Sequence, residues 1–239
     1  MAKRTRNAAG LRTLCIDIGG TGLKAMVVSP RGRPLSERMR VDTPHPATHE
    51  TLRQALLTIV PESRSYDRVS VGFPGVVAHG VIRTAPNLDS SLAGFDLEGN
   101  IRRVHGKPAR ALNDAGVQGY GAIRGKGVEA CITLGTGLGF SLFVDGRYVP
   151  NIELGQHPFR KGKTYEDELG KKAFERLGKR KWNKRLAKAI EQIERMFNYD
   201  VLYIGGGNAA NITIDLPRNV KRVDNISGLL GGVRLWTQG

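Results

Sequence analysis

Two short turns rich in glycine and threonine, one in each half of the chain, constrain this sequence most strongly. The first lies within IDIGGTGLK at residues 16–24, and the second within TLGTGLGF at residues 133–140. Each turn joins two β-type runs and predicts a tight hairpin, in which glycine permits positive φ and a close approach of backbone N–H groups to a ligand. Two such turns facing each other would hold phosphates from both sides, which is the arrangement that phosphoryl transfer requires.

Composition indicates a globular protein with an anionic partner. The chain has 239 residues, of which 40% are hydrophobic, enough to bury a real core. Its 37 lysines and arginines against 22 acids give a net charge of +15. Such an excess favours a nucleic acid, a membrane surface or a polyphosphate as partner, and a merely solvated basic surface is the alternative.

The two cysteines and the apolar runs exclude several classes of protein. Cys15 and Cys131 lie in apolar β-type runs without metal-ligand spacing, so we expect buried thiols rather than a zinc site or a disulfide. No apolar run is long enough to span a bilayer, and the N-terminal segment does not resemble a signal peptide. We therefore expect a cytoplasmic protein that binds no membrane.

The order of predicted elements repeats between the two halves of the chain. Three strands, a helix, a strand and a second helix are followed by much the same series again, with helices at residues 165–176 and 182–197. This order predicts two α/β lobes with a cleft between them. We expect one lobe over residues 1–110, completed by a C-terminal helix at 226–239, and the other over residues 111–225.

The residues of the two turns suit a site for phosphates and a metal ion. The candidate phosphate-binding residues are Gly19, Gly20, Thr21, Gly22 and Lys24 in the first turn, and Gly135, Thr136 and Gly137 in the second. A carboxylate such as Asp17 repels phosphate, so its expected role is to hold Mg²⁺ beside the phosphates. An ordinary hairpin with a solvated Asp17 and Lys24 is the alternative, and the P-loop pattern is absent.

Asn113 and Asp114 follow a predicted strand and precede a glycine-rich helix. At the carboxyl end of a strand, Asp114 can accept a proton from an attacking hydroxyl, and Asn113 can hydrogen-bond a polyol. The alternative is that Asp114 only caps the helix. Local sequence alone favours this alternative.

Three further segments carry weaker signals. Residues 150–157 collect a carboxylate, amides and an imidazole that suit sugar hydroxyls, or they form an incidental polar loop. Residues 72–75 form a sharp turn that can line a pocket or simply reverse the chain. Gly205, Gly206 and Gly207 end a strand, where the backbone can approach a nucleotide or another phosphate donor closely.

Taken together and in this order, these motifs resemble the ROK family of sugar kinases, most closely its polyphosphate glucokinase branch. The matching segments are residues 17–24, 72–76, 81–88, 113–115, 134–139, 150–155, 181–183 and 204–207. The resemblance implies an actin/hexokinase-like (ribonuclease H-like) fold of two lobes. It also implies phosphoryl transfer to the 6-hydroxyl of glucose or a related hexose, with Mg²⁺.

The resemblance assigns roles to individual residues. Asp114 would be the catalytic base. Residues implied to bind the sugar are Gly75, Asn87, Asn113, Glu153 and His157. The paired glycine turns would hold the donor phosphates, and Gly205–Gly207 would contact the donor. Relatives are often dimers, so a homodimer is expected.

One segment departs from the family pattern. The pattern Glu-x-Gly-His appears here as Glu153-Leu154-Gly155-Gln156-His157. Either Gln156 replaces the sugar-binding histidine, or His157 supplies that function from one residue later. A site that hydrogen-bonds a hydroxyl discriminates strongly when a partner changes.

A basic segment bears on the identity of the donor. Its cations are Arg160, Lys161, Lys163, Lys171, Lys172, Arg176, Lys179, Arg180, Lys181, Lys184, Arg185 and Lys188. A basic track beside the cleft would concentrate inorganic polyphosphate, and such contacts weaken steeply with salt. Polyphosphate, ATP or both are therefore expected donors, whereas two helices with solvated basic faces are the alternative.

Two other classes of function stay open on the sequence. A non-catalytic sugar-binding regulator is one, favoured by the altered Glu-x-Gly-His segment. A nucleic-acid-binding protein is the other, suggested by net charge alone. Only 6% of the residues are aromatic and no nucleic-acid motif is present, so we expect no nucleic-acid partner.

Overall fold

The computed structural model describes residues 10–61, 65–86, 88–223 and 231–237. Contacts divide the chain into two compact units, Met1–Gly121 with Gly228–Gly239, and Ala122–Ser227. The predicted boundary between residues 110 and 111 lies before the observed one, which follows Gly121. The strand that ends at Asn113 pairs in the sheet of the first unit, and the helix that begins at Asp114 belongs to the same unit.

The elements alternate between strands and helices along the chain. The strands are β1 (Thr13–Ile18), β2 (Gly22–Val28), β3 (Met39–Asp42), β4 (Arg68–Phe73), β5 (Val77–Ala78), β6 (Val81–Ile82), β7 (Ala109–Asn113), β8 (Val128–Leu134), β9 (Leu138–Val144), β10 (Arg147–Val149), β11 (Pro158–Arg160), β12 (Lys163–Thr164), β13 (Val201–Gly205) and β14 (Val220–Arg222). The helices are α1 (His49–Thr58), α2 (Leu97–His105), α3 (Asp114–Ala122), α4 (Tyr165–Leu169) and α5 (Lys171–Phe197).

The two units contain sheets of the same topology. The strand order is β3-β2-β1-β4-β7 in the first unit and β10-β9-β8-β13-β14 in the second. In each sheet the first three strands pair antiparallel and the last three pair parallel. The repeat inferred from the order of elements is therefore present in the pairing of the strands.

The central strands are covered on both faces, as is usual for parallel strands, and the covered residues of β4 include the polar Arg68 and Ser70. Every residue of β4 is buried. Helix α1 begins at a capping box in which Thr48 and Thr51 bond each other's backbone, and it turns Leu52 and Leu56 into the core. Cys15 and Cys131 are each 2% exposed, as predicted, and burial raises the pKa of each thiol to about 12.

The span α5 consists of two helices that meet at Gly178, so the two helices predicted for this region are present, although the first of them begins at Lys171 and not at residue 165. Gly178 has φ 72° and ψ 161°, a conformation outside the helical region that glycine adopts readily. The chain resumes the helix immediately, and Trp182 is completely buried beyond the kink. The predicted break at residues 177–181 is wider than the observed break at Gly178, because glycine and a run of cations interrupt the apolar periodicity.

A C-terminal segment packs against the first unit. Ser70 donates a 2.6 Å hydrogen bond to the carbonyl of Gly232, and the indole of Trp236 donates one of 2.8 Å to the Ser70 hydroxyl. The guanidinium groups of Arg68 and Arg110 lie 5.1 and 4.8 Å from the centre of the Trp236 ring. Of the expected helix at 226–239, the described part is residues 231–237, which include a 3₁₀ turn at Arg234–Trp236.

Among the described residues, no helix has both the length and the apolar character needed to cross a membrane.

Candidate functional site

Three parallel strands of the first unit end side by side and bring the predicted residues of that unit to one edge. Asp17 of β1 is in register with Gly72 of β4, and Phe73 of β4 is in register with Asn113 of β7. Ligands of α/β sheets bind beyond the carboxyl ends of such strands. The edge of β1, β4 and β7 is therefore a candidate site.

The first glycine turn, residues 19–22, is held from behind by the segment after β3. The backbone N–H of Gly19 donates to the carbonyl of Gly22 at 3.1 Å, which closes the turn. The hydroxyl of the buried Thr43 donates to the carbonyl of Gly19 at 2.5 Å, and its N–H donates to the carbonyl of Thr21 at 3.4 Å. Three carbonyls of the turn thus accept hydrogen bonds from protein donors.

Asp17 and Lys24 face each other across the hairpin that carries the first turn. The ammonium nitrogen of Lys24 lies 3.9 Å from a carboxylate oxygen of Asp17. Burial raises the pKa of Asp17, whereas Lys24 and Arg38 oppose that rise. The ion pair lies beside the turn, where both charges are near any bound phosphate.

A metal ion at Asp17 would need ligands from outside the protein. No group of three or more histidine, cysteine, aspartate or glutamate residues within the described ranges is arranged to hold a metal ion. Mg²⁺ fits a lone carboxylate, because it usually keeps several waters and takes its other ligands from substrate phosphates. Asp17 therefore suits Mg²⁺ bound with a phosphate donor, not a resident metal centre.

Asn113 fixes the start of helix α3 and the turn after β4. Its side-chain oxygen accepts from the N–H groups of Ala115 at 2.9 Å and Gly116 at 3.3 Å, which caps the helix. Its side-chain nitrogen donates to the carbonyl of Gly75 at 3.2 Å. Gly75 has to be glycine, because a Cβ there would overlap the carbonyl oxygen of Thr84.

Asp114 lies in the first turn of α3, directly over Gly72. A Cβ on Gly72 would come within 3.4 Å of the Cα of Asp114, so the helix and strand approach closely. The Asp114 carboxylate accepts from the N–H of Ala115 at 2.7 Å and is half-buried. Asn113 already occupies the capping position of the helix.

The second glycine turn, residues 135–137, lies at the matching edge of the second sheet. The N–H of Gly135 donates to the carbonyl of Gly137 at 3.0 Å. The carbonyl of Gly135 accepts from the N–H of Lys171 at 3.0 Å and from the side chain of Asn208 at 3.4 Å. As in the first turn, a backbone carbonyl of the loop, here that of Gly135, accepts hydrogen bonds from other parts of the protein.

The three consecutive glycines pack against this second turn. Gly205 of β13 is in register with Thr133 of β8. Gly206 has φ 91°, and a Cβ there would overlap the backbone of Leu134. The close approach therefore allows the backbone of Gly206 to pack directly on that of Leu134. Gly207 follows at the edge where the second turn lies.

Glu153 lies in the same unit, on a loop that touches the second turn. It precedes the 3₁₀ turn Leu154–Gln156, whose Gly155 packs against the carbonyl of Leu138. Burial raises the pKa of Glu153, and the nearby Glu166 adds to this rise. Gln156 and His157 are both exposed.

Glu166 is a site residue that the sequence analysis did not identify. Its carboxylate accepts from the N–H of Leu138 at 3.1 Å, and a Cβ on Gly137 would overlap one of its oxygens. Glu166 thus packs against the second turn, and its charge raises the pKa of Glu153. The capping box at Thr164 and Asp167, which begins the short helix α4, is the only sequence signal near it.

The glycines of the two turns act differently from the prediction. Gly19, Gly22, Gly135 and Gly137 do not have positive φ. A side chain at Gly137 would displace the carboxylate of Glu166. Asn87, expected to bind the sugar, lies outside the described residues.

Comparison with known proteins agrees with this arrangement. A model of the ROK family matches residues 13–151. The polyphosphate glucokinase of Mycobacterium tuberculosis (strain CDC 1551 / Oshkosh) is 32% identical over 202 residues, which cover 80% of this chain and 76% of that relative.

Solved structures show the same architecture. The inorganic polyphosphate/ATP-glucomannokinase from Arthrobacter sp. strain KM superposes with a TM-score of 0.83 at 31% identity, over 95% of this chain and 99% of that one. A ROK family glucokinase from Streptomyces griseus, in complex with glucose and AMPPNP, gives a TM-score of 0.74 at 22% identity, over 95% of this chain and 100% of that one. The predicted actin/hexokinase-like α/β fold is confirmed. Since the family model matches more than half of the chain, the chain belongs to the ROK family.

Proposed function

We propose that the protein is a glucokinase that transfers a phosphoryl group from inorganic polyphosphate, ATP or both to the 6-hydroxyl of glucose or a related hexose. The observation that carries this proposal is the position of Asp114, on the first turn of α3 against Gly72. Asn113 takes the capping role there, so Asp114 is not needed as the cap of the helix.

Asp114 acts in this proposal as the general base. As the sugar 6-hydroxyl attacks the terminal phosphorus of the donor, its proton passes to the Asp114 carboxylate, and the bond from phosphorus to the leaving phosphate breaks. A carboxylate suits this step, because in loose phosphoryl transfer the base mainly orients the hydroxyl and accepts its proton late.

Asn113 and Glu153 would orient the sugar. The Asn113 side chain is buried and its orientation is set by Gly75 and by two helix N–H groups. Such an orientation costs no reorganisation when substrate binds. An ionised Glu153 would accept hydrogen bonds from sugar hydroxyls, and Gly75 and Asn87 would contact the sugar, as the family resemblance implies.

The two glycine turns would hold the donor phosphates through backbone N–H groups, Thr21 and Thr136. Lys24 would add positive charge, and Gly205–Gly207 would contact the rest of the donor. Asp17 would hold Mg²⁺ together with the phosphates, where the ion would neutralise charge on the donor.

The relatives support a phosphoryl donor of this kind. The Mycobacterium tuberculosis relative is a polyphosphate glucokinase, and the Arthrobacter structure is an inorganic polyphosphate/ATP-glucomannokinase. Both share about a third of their residues with this chain. They favour polyphosphate and ATP as the donors to test first, and glucose and mannose as the sugars.

The test is formation of glucose 6-phosphate with Mg²⁺, run with polyphosphate and with ATP in parallel. Turnover that disappears in an Asp114→Asn variant with an unchanged circular dichroism spectrum would support the proposal. Glucose binding without turnover from either donor would favour a sugar-binding regulator. A preference for another hexose would point to the Gln156–His157 substitution.

A further inference from the structure

Helix α5 begins in contact with the second glycine turn. The N–H of Lys171, its first residue, lies 3.0 Å from the carbonyl of Gly135 and 3.3 Å from that of Thr136. Gly170, just before it, leaves so little room that a Cβ would come within 2.8 Å of the Thr136 carbonyl. The helix therefore runs outward from the loop assigned to the donor phosphates.

The first two-thirds of this helix carry a strong positive charge. Residues 171–188 include nine lysines and arginines and a single acid, Glu175. The exposed cations are Lys171, Lys172, Arg176, Lys179, Arg180, Lys181, Lys184 and Lys188. Acids return only beyond this stretch, where Glu191 pairs with Arg195 at 2.5 Å. The charge is thus concentrated on the part of the helix nearest the glycine turn.

Beyond the kink at Gly178, three lysines form a stripe that faces away from the core. One face of the helix is buried through Trp182, Leu186, Ile190 and Ile193. Lys181, Lys184 and Lys188 are exposed and three to four residues apart, so they lie one above another on the opposite face. Within this part of the helix Lys181 and Lys188 are about 10 Å apart along the axis, at a rise of about 1.5 Å per residue.

A buried carboxylate fixes the helix on both sides of the kink. Glu168 is 3% exposed, and its oxygens lie 3.3 Å from a nitrogen of Arg160, 3.3 Å from one of Arg176 and 3.0 Å from one of Arg185. Arg160 comes from β11, and the other two come from opposite sides of Gly178. Because one carboxylate pairs with three guanidinium groups, the cluster keeps a net positive charge. The shared carboxylate also links the two halves of α5.

We propose that the exposed basic face of α5 is a docking track for inorganic polyphosphate, which leads the chain away from the second glycine turn. This inference rests on the proposed function and adds a path for the part of the donor that does not react. A long phosphate chain carries charge at every unit, so cations spaced along a helix raise its local concentration and its rate of association.

The chemistry of this face favours polyphosphate over nucleic acid. Proteins that hold single-stranded nucleic acid combine basic grooves with aromatic side chains on which bases stack. The aromatic side chains along the described residues 171–188 are Phe174 and Trp182, and Trp182 is completely buried while Phe174 packs against its edge. A polymer of phosphates without bases matches a surface of exposed lysines and arginines.

The test compares a K181Q/K184Q/K188Q variant with an R31Q/R33Q/R218Q control, which loses the same charge from exposed positions outside α5. The measurement is kcat/KM for long-chain polyphosphate relative to tripolyphosphate, together with direct binding of long-chain polyphosphate. We expect the α5 variant to lower the ratio and weaken binding about tenfold, and the control to leave both near the parent values. Neutralising three phosphate contacts should also reduce the slope of log affinity against log salt by roughly 2.

The outcomes separate this inference from the proposed function. If the K181Q/K184Q/K188Q variant uses and binds polyphosphate as the parent does, the docking track is overturned and the proposed function is retained. Turnover with ATP and none with polyphosphate would overturn the donor assignment and the track together. Binding of single-stranded DNA as tight as that of polyphosphate, lost in the same variant, would make the face a nucleic-acid surface and would also overturn the proposal.

Discussion

The side-chain hydroxyl of Thr43 donates a 2.5 Å hydrogen bond to the backbone carbonyl of Gly19, from a position that is only 4% exposed. Thr43 lies directly after strand β3, whereas Gly19 opens the first glycine turn. With its carbonyls engaged from behind, the turn has fewer ways to rotate its peptide planes. Thr43 therefore acts as a positioning residue for the first glycine turn, without itself contacting a ligand.

Replacing Thr43 by valine should weaken donor binding. Valine has the same shape but leaves the Gly19 carbonyl without its hydroxyl partner, a loss of about 1 kcal/mol. We expect a severalfold rise in KM for the donor, little change in KM for the sugar, and a fall in Tm of about 2–4 °C. Thr43→Ser keeps the hydroxyl and should restore the donor KM, and equal donor KM values for both variants would contradict this positioning role.

Replacing Asp114 by asparagine should remove the general base with little change to the fold. The capping bonds of α3 come from Asn113 and would be retained. We expect kcat to fall by about 10²–10⁴, as is typical when a general base is lost, with the sugar still binding. Isothermal titration with glucose and a steady-state assay measure the two effects, and a near-normal kcat would refute the assignment of Asp114.

The electrostatic coupling of Glu153 and Glu166 should appear in the pH profile. Burial first and Glu166 second raise the pKa of Glu153, so its carboxylate accepts protons at a higher pH than an exposed glutamate does. In Glu166→Gln the second cause is removed, and the pKa of Glu153 should fall. The acid limb of kcat/KM for the sugar should therefore move to lower pH.

A charge-matched control for this shift is Glu191→Gln, which removes an exposed acid near the far end of α5. That variant should leave the acid limb in place. An acid limb that does not move in Glu166→Gln would show that a group other than Glu153 controls it, whatever the change in absolute rate.

The geometry of the 3₁₀ turn distinguishes the two candidates for the missing histidine. The N–H of Gln156 donates to the carbonyl of Glu153 at 3.0 Å, and residues three apart in such a turn lie on the same side. His157 leaves the turn in an extended conformation. We therefore expect Gln156→Ala to raise KM for the sugar several times more than His157→Ala does, and the reverse order would restore the role expected for His157.

The strands that carry the site were predictable because they combine apolar runs with glycine turns. The apolar runs at residues 14–18, 69–73 and 109–112 predict strands, and β1, β4 and β7 begin within one residue of those runs. Asp17, Asn113 and Asp114 could be placed at strand ends for the same reason. Their gathering at one edge follows from the parallel pairing of β1, β4 and β7.

Other parts of the site depend on contacts between distant residues. Glu166 touches Leu138 across 28 positions of the chain, and Thr43 touches Gly19 across 24. No local pattern marks such pairs. The hairpin of β11 and β12 has a polar and basic sequence that gives no strand signal. Nothing in the local sequence marks Glu168 as a buried acid with three arginine partners.

The docking of residues 231–237 against Ser70 and Cys15 has a consequence for how the protein forms on the ribosome. The second unit is continuous in sequence, whereas the first is assembled from two segments that flank it. A Cβ on Gly232 would press on Cys15, so the two segments meet without space between them. During translation the strands of the first unit are synthesised before residues 231–237, which complete its packing. The second unit can therefore complete its core before the first unit does.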